Sequence, residues 1–236
     1  MRRIMRRTIL LFTLMAAALL VGSGVALAQP APGEVPDASC QPTSGEIVTG
    51  KAFLRNSWVM AYTFTAEQTG LLTSAQVQIE NAANEPTSTS LVMEIRAVDS
   101  LGIPTGEVLA STTIPESGIP PHGQSGVVTG HFSPGAPVEA GQQYAIALHT
   151  TTEPVGDGLG WVGTFFLASC PGTLYFNPPP TPGEFIVVAE NFDVIFSTFV
   201  TLRTAPQTTA DCKRGGYKEF GFKNAGQCIK AVKQAG

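Results

Sequence analysis

Residues 158–163, Gly-Leu-Gly-Trp-Val-Gly, match the G-x-G-x-x-G pattern of loops that carry a dinucleotide pyrophosphate. Such a loop follows a strand and opens a helix, whereas residues 164–168 have the composition of a strand. Because the helix is missing, the pattern predicts a glycine-rich loop of a β-structure and no bound dinucleotide.

Other residue types with catalytic potential are isolated from one another. Residues 123–126, Gly-Gln-Ser-Gly, miss the G-x-S-x-G turn of serine hydrolases by one position and lack its strand-to-helix frame. His122 lies in a proline-rich loop, while His131 and His149 fall on predicted strands. Lone histidines are more often hydrogen-bonded surface residues than metal ligands. We therefore expect a protein that is not an enzyme.

Calcium is the metal that suits an extracellular β-protein best, through loop oxygens of Asp99, Asp157 or Asp193. No D-x-D-x-D-G loop is present, however, and aspartates are common in turns for backbone reasons alone. The sequence thus predicts no cofactor, with a structural calcium ion as the alternative.

Three aromatic residues have the chemistry to contact a sugar, whose apolar C–H face stacks on an aromatic plane while its hydroxyls reach polar neighbours. They are Trp161, Trp58 and Tyr175. Trp161 is the first choice because glycine-rich surroundings favour exposure, and packing in the core is the alternative explanation for each tryptophan.

Residues 211–236 form a basic tail in which cationic and aromatic side chains alternate. This combination suits binding to phosphates or wall polyanions. The residues proposed for that contact are Lys213, Arg214, Lys218 and Lys223. In one alternative, Tyr217, Phe220 and Phe222 form a miniature core and the lysines are solvated. In another, the tail docks on the acidic remainder of its own chain.

The first 28 residues have the order of a secretory signal peptide: four arginines, an apolar stretch at residues 9–20, and Ala26-Leu27-Ala28. The apolar stretch is shorter than the roughly 18 to 20 residues of a spanning helix. We expect cleavage after Ala28 and a secreted product without a transmembrane segment, with an uncleaved anchor as the alternative. The arginine pairs leave Sec and twin-arginine export open.

Loss of the signal peptide changes the net charge from −4 to −8, because four arginines leave with it. Six basic residues against Asp211 and Glu219 give the tail +4, which leaves −12 on residues 29–210. An acidic surface repels nucleic acids and anionic membranes over a Debye length of about 8 Å. Neither is expected to bind the main body of the protein.

All four cysteines lie after the signal peptide, and an even number in an exported protein predicts two disulfides. Cys212 and Cys228 share the compact tail, which favours their pairing and hence that of Cys40 with Cys170. The two other connectivities stay open.

Between residues 45 and 205, short apolar or alternating runs are separated by Gly, Pro, Asn or Asp. Ala75, Val77 and Ile79 show the period of two that buries one face of a strand and wets the other. The last run, residues 192–203, reads as one strand. No crossover helix fits between the runs, so the pairing must be mostly antiparallel. Eight to ten such strands predict an all-β, jelly-roll-type sandwich.

The length of the chain suits one domain with a substantial core. The predicted organisation is a signal peptide at 1–28, an extended proline-rich arm at 29–44, the β-sandwich at 45–203, a linker at 204–210 and the disulfide-closed basic tail at 211–236. A short helix is expected over residues 227–234 of the tail, where Ile229 and Val232 lie three apart.

The strand patterns at residues 61–65, 71–75, 102–104, 108–112, 140–146 and 192–196 resemble the choice-of-anchor, carbohydrate-binding-module-like jelly-roll domains of bacterial surface proteins. The tail, with Cys-Lys-Arg-Gly-Gly-Tyr at 212–217, Phe-Gly-Phe-Lys-Asn at 220–224 and Gly-Gln-Cys at 226–228, is similar to a C-terminal motif that recurs on unrelated secreted bacterial proteins. The first resemblance implies a non-catalytic sandwich, and the second implies a portable module.

These observations together predict a secreted, non-catalytic binding or adhesion module. Its expected partner is a polysaccharide or another polymer of the cell envelope, with the tail adding electrostatic retention. The alternative is a structural or assembly protein of the cell surface without a small-molecule ligand.

Overall fold

A computed structural model describes residues 30–41, 50–56, 58–82, 89–152, 158–165, 170–178, 184–189, 192–203, 205–206, 208–218 and 220–235. The described residues form two antiparallel sheets that pack face to face, which confirms the predicted all-β sandwich. The predicted signal peptide lies outside the described residues.

Thirteen strands are present among the described residues, more than the eight to ten predicted. They are β1 (Glu34–Cys40), β2 (Gly50–Leu54), β3 (Val59–Thr65), β4 (Gly70–Asn81), β5 (Leu91–Val98), β6 (Pro104–Ile114), β7 (Ser125–Val138), β8 (Gln143–Thr150), β9 (Leu159–Phe165), β10 (Leu174–Asn177), β11 (Ile186–Ala189), β12 (Phe192–Val194) and β13 (Phe196–Leu202).

One sheet has seven strands in the order β1-β13-β4-β9-β12, with β2 paired to β9 and β7 paired to β4. The other has six strands in the order β11-β10-β3-β8-β5-β6. Their facing apolar side chains form the main core, in which Val77, Ile79, Met93, Ile95, Ile146 and Leu148 are fully buried. Burial of each such side chain contributes about 1.5–3 kcal/mol.

The outer face of β4 is drier than the period of two predicts. Gln76 and Gln78 are buried although they alternate along β4 with the core residues Ala75, Val77 and Ile79. The side-chain amide of Gln78 donates a 3.0 Å hydrogen bond to the hydroxyl of Ser125. The predicted burial of Ala75, Val77 and Ile79 is therefore confirmed, whereas the prediction that the opposite face of this strand is wet is wrong at Gln76 and Gln78.

The structure describes residues 30–41 of the proline-rich arm, and Glu34–Cys40 are extended, as expected, but belong to the sandwich as edge strand β1. Pro36 is tolerated there because an edge strand leaves one row of backbone groups unpaired. The carboxylate of Asp37 anchors the strand by accepting hydrogen bonds from the backbone N–H groups of Glu67, at 2.7 Å, and Gln68, at 2.8 Å. The sandwich thus begins at Glu34 and not at residue 45.

The run predicted as a single strand at residues 192–203 is divided at Ile195 into β12 and β13. The backbone N–H of Ile195 donates to the carbonyl of Val162, at 2.9 Å, and its carbonyl accepts a hydrogen bond from the indole N–H of Trp161, at 3.2 Å. Through these two hydrogen bonds, the residue between β12 and β13 is held against β9.

Both predicted disulfides are present, one joining Cys40 to Cys170 and the other joining Cys212 to Cys228. The tail also contains the expected helix, α1 (Ala225–Ala235), whose start is capped by the Asn224 side chain accepting a 3.0 Å hydrogen bond from the backbone N–H of Gln227. The aromatic residues of the tail, Tyr217, Phe220 and Phe222, are half-buried, and Cys212 and Cys228 are fully buried. Among the described helices, none is long and apolar enough to cross a membrane.

Candidate functional site

The prediction that Trp161 contacts a ligand is wrong, because its side chain is fully buried within β9. Two of the three glycines, Gly160 and Gly163, lie in the strand and allow close packing: a Cβ atom at Gly163 would lie 2.5 Å from the carbonyl oxygen of Asp193, and one at Gly160 would lie 2.8 Å from the Lys51 side chain. Gly158 immediately precedes the strand and has a φ of +63°. The G-x-G-x-x-G string is therefore a packing feature of the sandwich.

The prediction that Tyr175 contacts a ligand is also wrong, since only 7% of this residue is exposed. Tyr175 packs on the outer face of the six-stranded sheet in a small cluster with Ala61, Ala147 and Phe185. Because side chains alternate along a strand, the next residue, Phe176, faces the other way. It is Phe176 that belongs to the candidate site.

Trp58 is 40% exposed, as contact with a ligand requires. It immediately precedes β3, and its ring centroid lies 5.9 Å from that of Phe176, with an interplanar angle of 55°. Phe176 pairs with Met60, two residues after Trp58, so the antiparallel register of β3 and β10 places the two rings side by side.

These rings line an apolar groove of about 370 Å³, which we call the aromatic groove. One wall comes from β2 and β12 of the seven-stranded sheet and the other from β3, β10 and β11 of the six-stranded sheet. The lining residues are Lys51, Ala52, Phe53, Trp58, Met60, Leu174, Phe176, Val188 and Phe192. The groove is thus the place where the apolar interior between the sheets reaches the surface.

The floor of the aromatic groove is formed by buried side chains, including Met60 and Leu174, while Phe53, Trp58 and Val188 are 38–47% exposed along its walls. Large apolar side chains that remain in water beside a formed groove mark a binding surface more often than isolated exposed residues do.

Charge is confined to the rim of the aromatic groove. The ammonium of Lys51 lies 2.6 Å from a carboxylate oxygen of Glu80 and 5.7 Å from the centroid of the Phe53 ring. Among the described residues, Lys51 is the only titratable one in the lining. The described lining of the groove therefore offers stacking surfaces and hydrogen-bonding groups at one side, and no nucleophile or acid–base pair is present among these described residues.

The aspartates considered for calcium have other partners where the structure describes them. A carboxylate oxygen of Asp99 accepts hydrogen bonds from the backbone N–H groups of Leu101 and Ile103, at 2.8 and 2.9 Å, in a turn. Asp193 is buried in β12 and not in a loop, and Asp157 lies outside the described residues. Within the described part of the chain, no three His, Cys, Asp or Glu residues are grouped to hold a metal.

A charged cluster that the sequence patterns did not reveal lies on the outer face of the six-stranded sheet. Arg96 contacts the carboxylate of Glu94 at 2.6 Å, and a ring nitrogen of His149 lies 3.9 Å from its other oxygen. Burial alone would raise the pKa of Glu94, but the neighbouring His149 and the charge of Arg96 hold it below the ordinary value of 4.5. The spacing of Glu94 and Arg96, two apart on one strand, was the available signal.

The four tail cations proposed for polyanion contact are all exposed. Lys213 and Arg214 line a cleft between the tail and the sandwich, whereas Lys218 and Lys223 lie outside its lining. The structure thus separates the four residues into two pairs.

No protein-family model matches the chain, and no curated protein matches it in sequence.

Proposed function

We propose that this protein is a non-catalytic binding module of the extracellular space or cell surface that holds carbohydrate in the aromatic groove. The observation that carries the proposal is the exposed Trp58 ring beside Phe176 over an apolar floor. Two disulfides support an oxidising compartment, because such bonds persist mainly outside the cytoplasm.

The chemistry of the groove suits a sugar better than a wholly apolar ligand. A pyranose ring presents C–H groups to an aromatic plane and hydroxyls at its edge. Trp58 and Phe176 supply the planes, and the Lys51–Glu80 ion pair supplies a donor and an acceptor at the rim. The volume of about 370 Å³ lies within the usual range of roughly 300–1,000 Å³ for small-ligand sites.

The test is binding of the purified chain to an array of glycans and to isolated cell-wall polysaccharides. Trp58→Ala should weaken retention of the bound glycan at least about 10-fold, the loss expected for removing a central aromatic contact. Leu101→Ala is the matched control, because Leu101 is 79% exposed and lies outside the groove lining. The proposal fails when no polysaccharide is retained, or when both variants bind like the unchanged chain.

A second candidate function, self-assembly at the cell surface, is favoured by strand β11. This strand ends the six-stranded sheet, and Ile186, Val187 and Val188 are each 44–47% exposed. Exposed apolar edge strands pair readily with another strand. Pairing of β11 with β11 of a second copy predicts a concentration-dependent dimer in sedimentation, which Val187→Lys should abolish. A monomer at all concentrations tested would remove this candidate.

A further inference from the structure

The tail and one end of the sandwich enclose a second depression of about 670 Å³, which we call the tail cleft. The sandwich contributes Tyr144 and Arg203 to its lining, and the tail contributes Lys213, Arg214 and Phe220. It lies at the opposite end of β3 from the aromatic groove: Met60 belongs to the groove floor, whereas Phe64 pairs with Tyr144 of the cleft.

The charge balance of the tail cleft favours an anion. Its carboxylates are those of Asp211 and Glu139, and its cations are Arg203, Lys213 and Arg214. Asp211 is already engaged, since it contacts Arg203 at 3.1 Å and accepts a 2.7 Å hydrogen bond from a backbone N–H. Neither Lys213 nor Arg214 forms an ion pair with another described residue.

Arg203 has hydrogen-bonding capacity left over. Its Nη1 atom donates a hydrogen bond to the carboxylate of Asp211. Its Nε atom is buried and has no hydrogen-bond partner within the described part of the chain. Guanidinium donors form a planar fork that matches the oxygens of a carboxylate or phosphate. The Arg203 side chain as a whole lines the cleft and is 25% exposed, so its guanidinium charge is available to an anion there.

Arg214 is held in an unfavourable backbone conformation. Its φ of +50° lies in the left-handed region, which residues with a Cβ rarely adopt, and it is followed by Gly215 at +96°. Among the described residues it is the only one other than glycine with positive φ. Residues with such backbone strain are enriched at functional sites, and the side chain of Arg214 lines the cleft.

We propose that the tail cleft binds the carboxylate or phosphate group of an acidic polysaccharide, with Arg203, Lys213 and Arg214 as its ligands. This inference builds on the proposed function, because it specifies the class of polymer that the aromatic groove holds. The tail is then part of the binding site and not only a source of positive charge.

Titration calorimetry of the full chain with inorganic phosphate and with malonate tests the cleft separately from the groove, since neither probe has a sugar face. Lys213→Ala with Arg214→Ala should weaken binding at least about 10-fold. Lys218→Ala with Lys223→Ala removes the same charge outside the cleft and should change affinity less than about 2-fold at 0.15 M salt, because exposed charges are screened there. Equal losses in both double variants, or no binding of either anion, would overturn the proposal.

A third variant distinguishes loss of anion binding caused by a missing side chain from loss caused by misfolding. Arg214→Gly relieves the left-handed strain while removing the side chain, so the anion affinity should fall without a lower melting temperature. Unchanged affinity in this variant would contradict the assigned role of Arg214. Trp58→Ala should leave phosphate and malonate binding unchanged, so failure of the cleft and failure of the groove are distinguishable.

Binding to two acidic polymers distinguishes a carboxylate ligand from a phosphate ligand. A polygalacturonate presents carboxylates and a poly(glycerol phosphate) presents phosphodiesters, and neutral dextran is the reference. Stronger retention of either acidic polymer than of dextran, lost in the Lys213 and Arg214 double variant, supports the inference. Equal retention of dextran would overturn it.

Discussion

The hydroxyl of Tyr62 in β3 donates a 2.7 Å hydrogen bond to a carboxylate oxygen of Asp193 in β12, so this buried contact joins the two sheets. Burial raises the pKa of both groups above their ordinary values. The hydrogen bond from Tyr62 lowers the pKa of Asp193 and so partly offsets the increase that burial causes. It is therefore the main local stabilisation of a carboxylate inside the sandwich.

Tyr62→Phe should lower the free energy of unfolding by about 1–3 kcal/mol, since it leaves a buried acceptor without its donor. Asp193→Asn keeps an acceptor oxygen and removes the desolvated charge, so its loss should be smaller. Urea denaturation of the three proteins at pH 7 measures both. A larger loss in Asp193→Asn than in Tyr62→Phe would contradict this account.

The pH dependence of the Asp193 variant has a defined sign. A carboxyl group with a raised pKa in the folded state binds its proton more tightly there than in the unfolded chain, where the value is near 3.8. The stability of the unchanged protein relative to Asp193→Asn should therefore rise as the pH falls from 7 towards 4. Thermal unfolding of both proteins across this range provides the measurement, and a relative stability that falls would be inconsistent.

Glu94 should show the opposite behaviour, because its pKa is lowered in the folded protein. Its contribution to stability is complete above the unfolded value of about 4.5 and is lost as the pH falls through the folded value. Glu94→Gln should destabilise the protein by about 1–2 kcal/mol at pH 7 and by a smaller amount at pH 3. Denaturation curves at the two pH values check this, and a constant difference would refute it.

The two disulfides should stabilise different parts of the chain. Cys40 and Cys170 are 130 residues apart, and replacing both with alanine should cost the sandwich about 4–5 kcal/mol by the chain-entropy estimate. Cys212 and Cys228 are 16 apart, and their replacement should cost about 3 kcal/mol, confined to the tail. Calorimetry with circular dichroism separates the effects: loss of α1 with an unchanged sandwich transition is expected in the second variant only.

The two tryptophans provide an optical check on the site. Trp58 is 40% exposed and Trp161 is fully buried, so acrylamide should quench mainly Trp58. Trp58→Phe should lower the quenching constant several-fold and remove any emission shift caused by a bound glycan. Strong quenching that persists in Trp58→Phe would mean that Trp161 is accessible, contrary to its position in β9.

Period-two patterning predicted the sandwich because burial of one strand face leaves a direct mark on the sequence. The same reasoning missed β1, since the proline content of the arm masks a strand that survives only at a sheet edge. It also missed β2, a five-residue strand too short for a clear alternation.

The candidate site was only partly predictable. Trp58 was identified from its chemistry, but Phe176 was passed over for Tyr175 because sequence alone does not say which strand face lies inward. Trp161 was misplaced because glycine indicates a loop and close strand packing equally well. The tail cleft depends on Arg203 meeting Lys213 and Arg214 in space, which local patterning does not encode.

The placement of the two depressions at opposite ends of β3 has a mechanical consequence. Phe64 lies four positions after Met60, about 13 Å along the strand. The hydrogen bonds between β3 and β8 run across the strand direction, so a pull between a polymer in the groove and one in the cleft would load them together in shear. Such a geometry resists tension far better than one in which bonds open singly, and it suits a tether under flow.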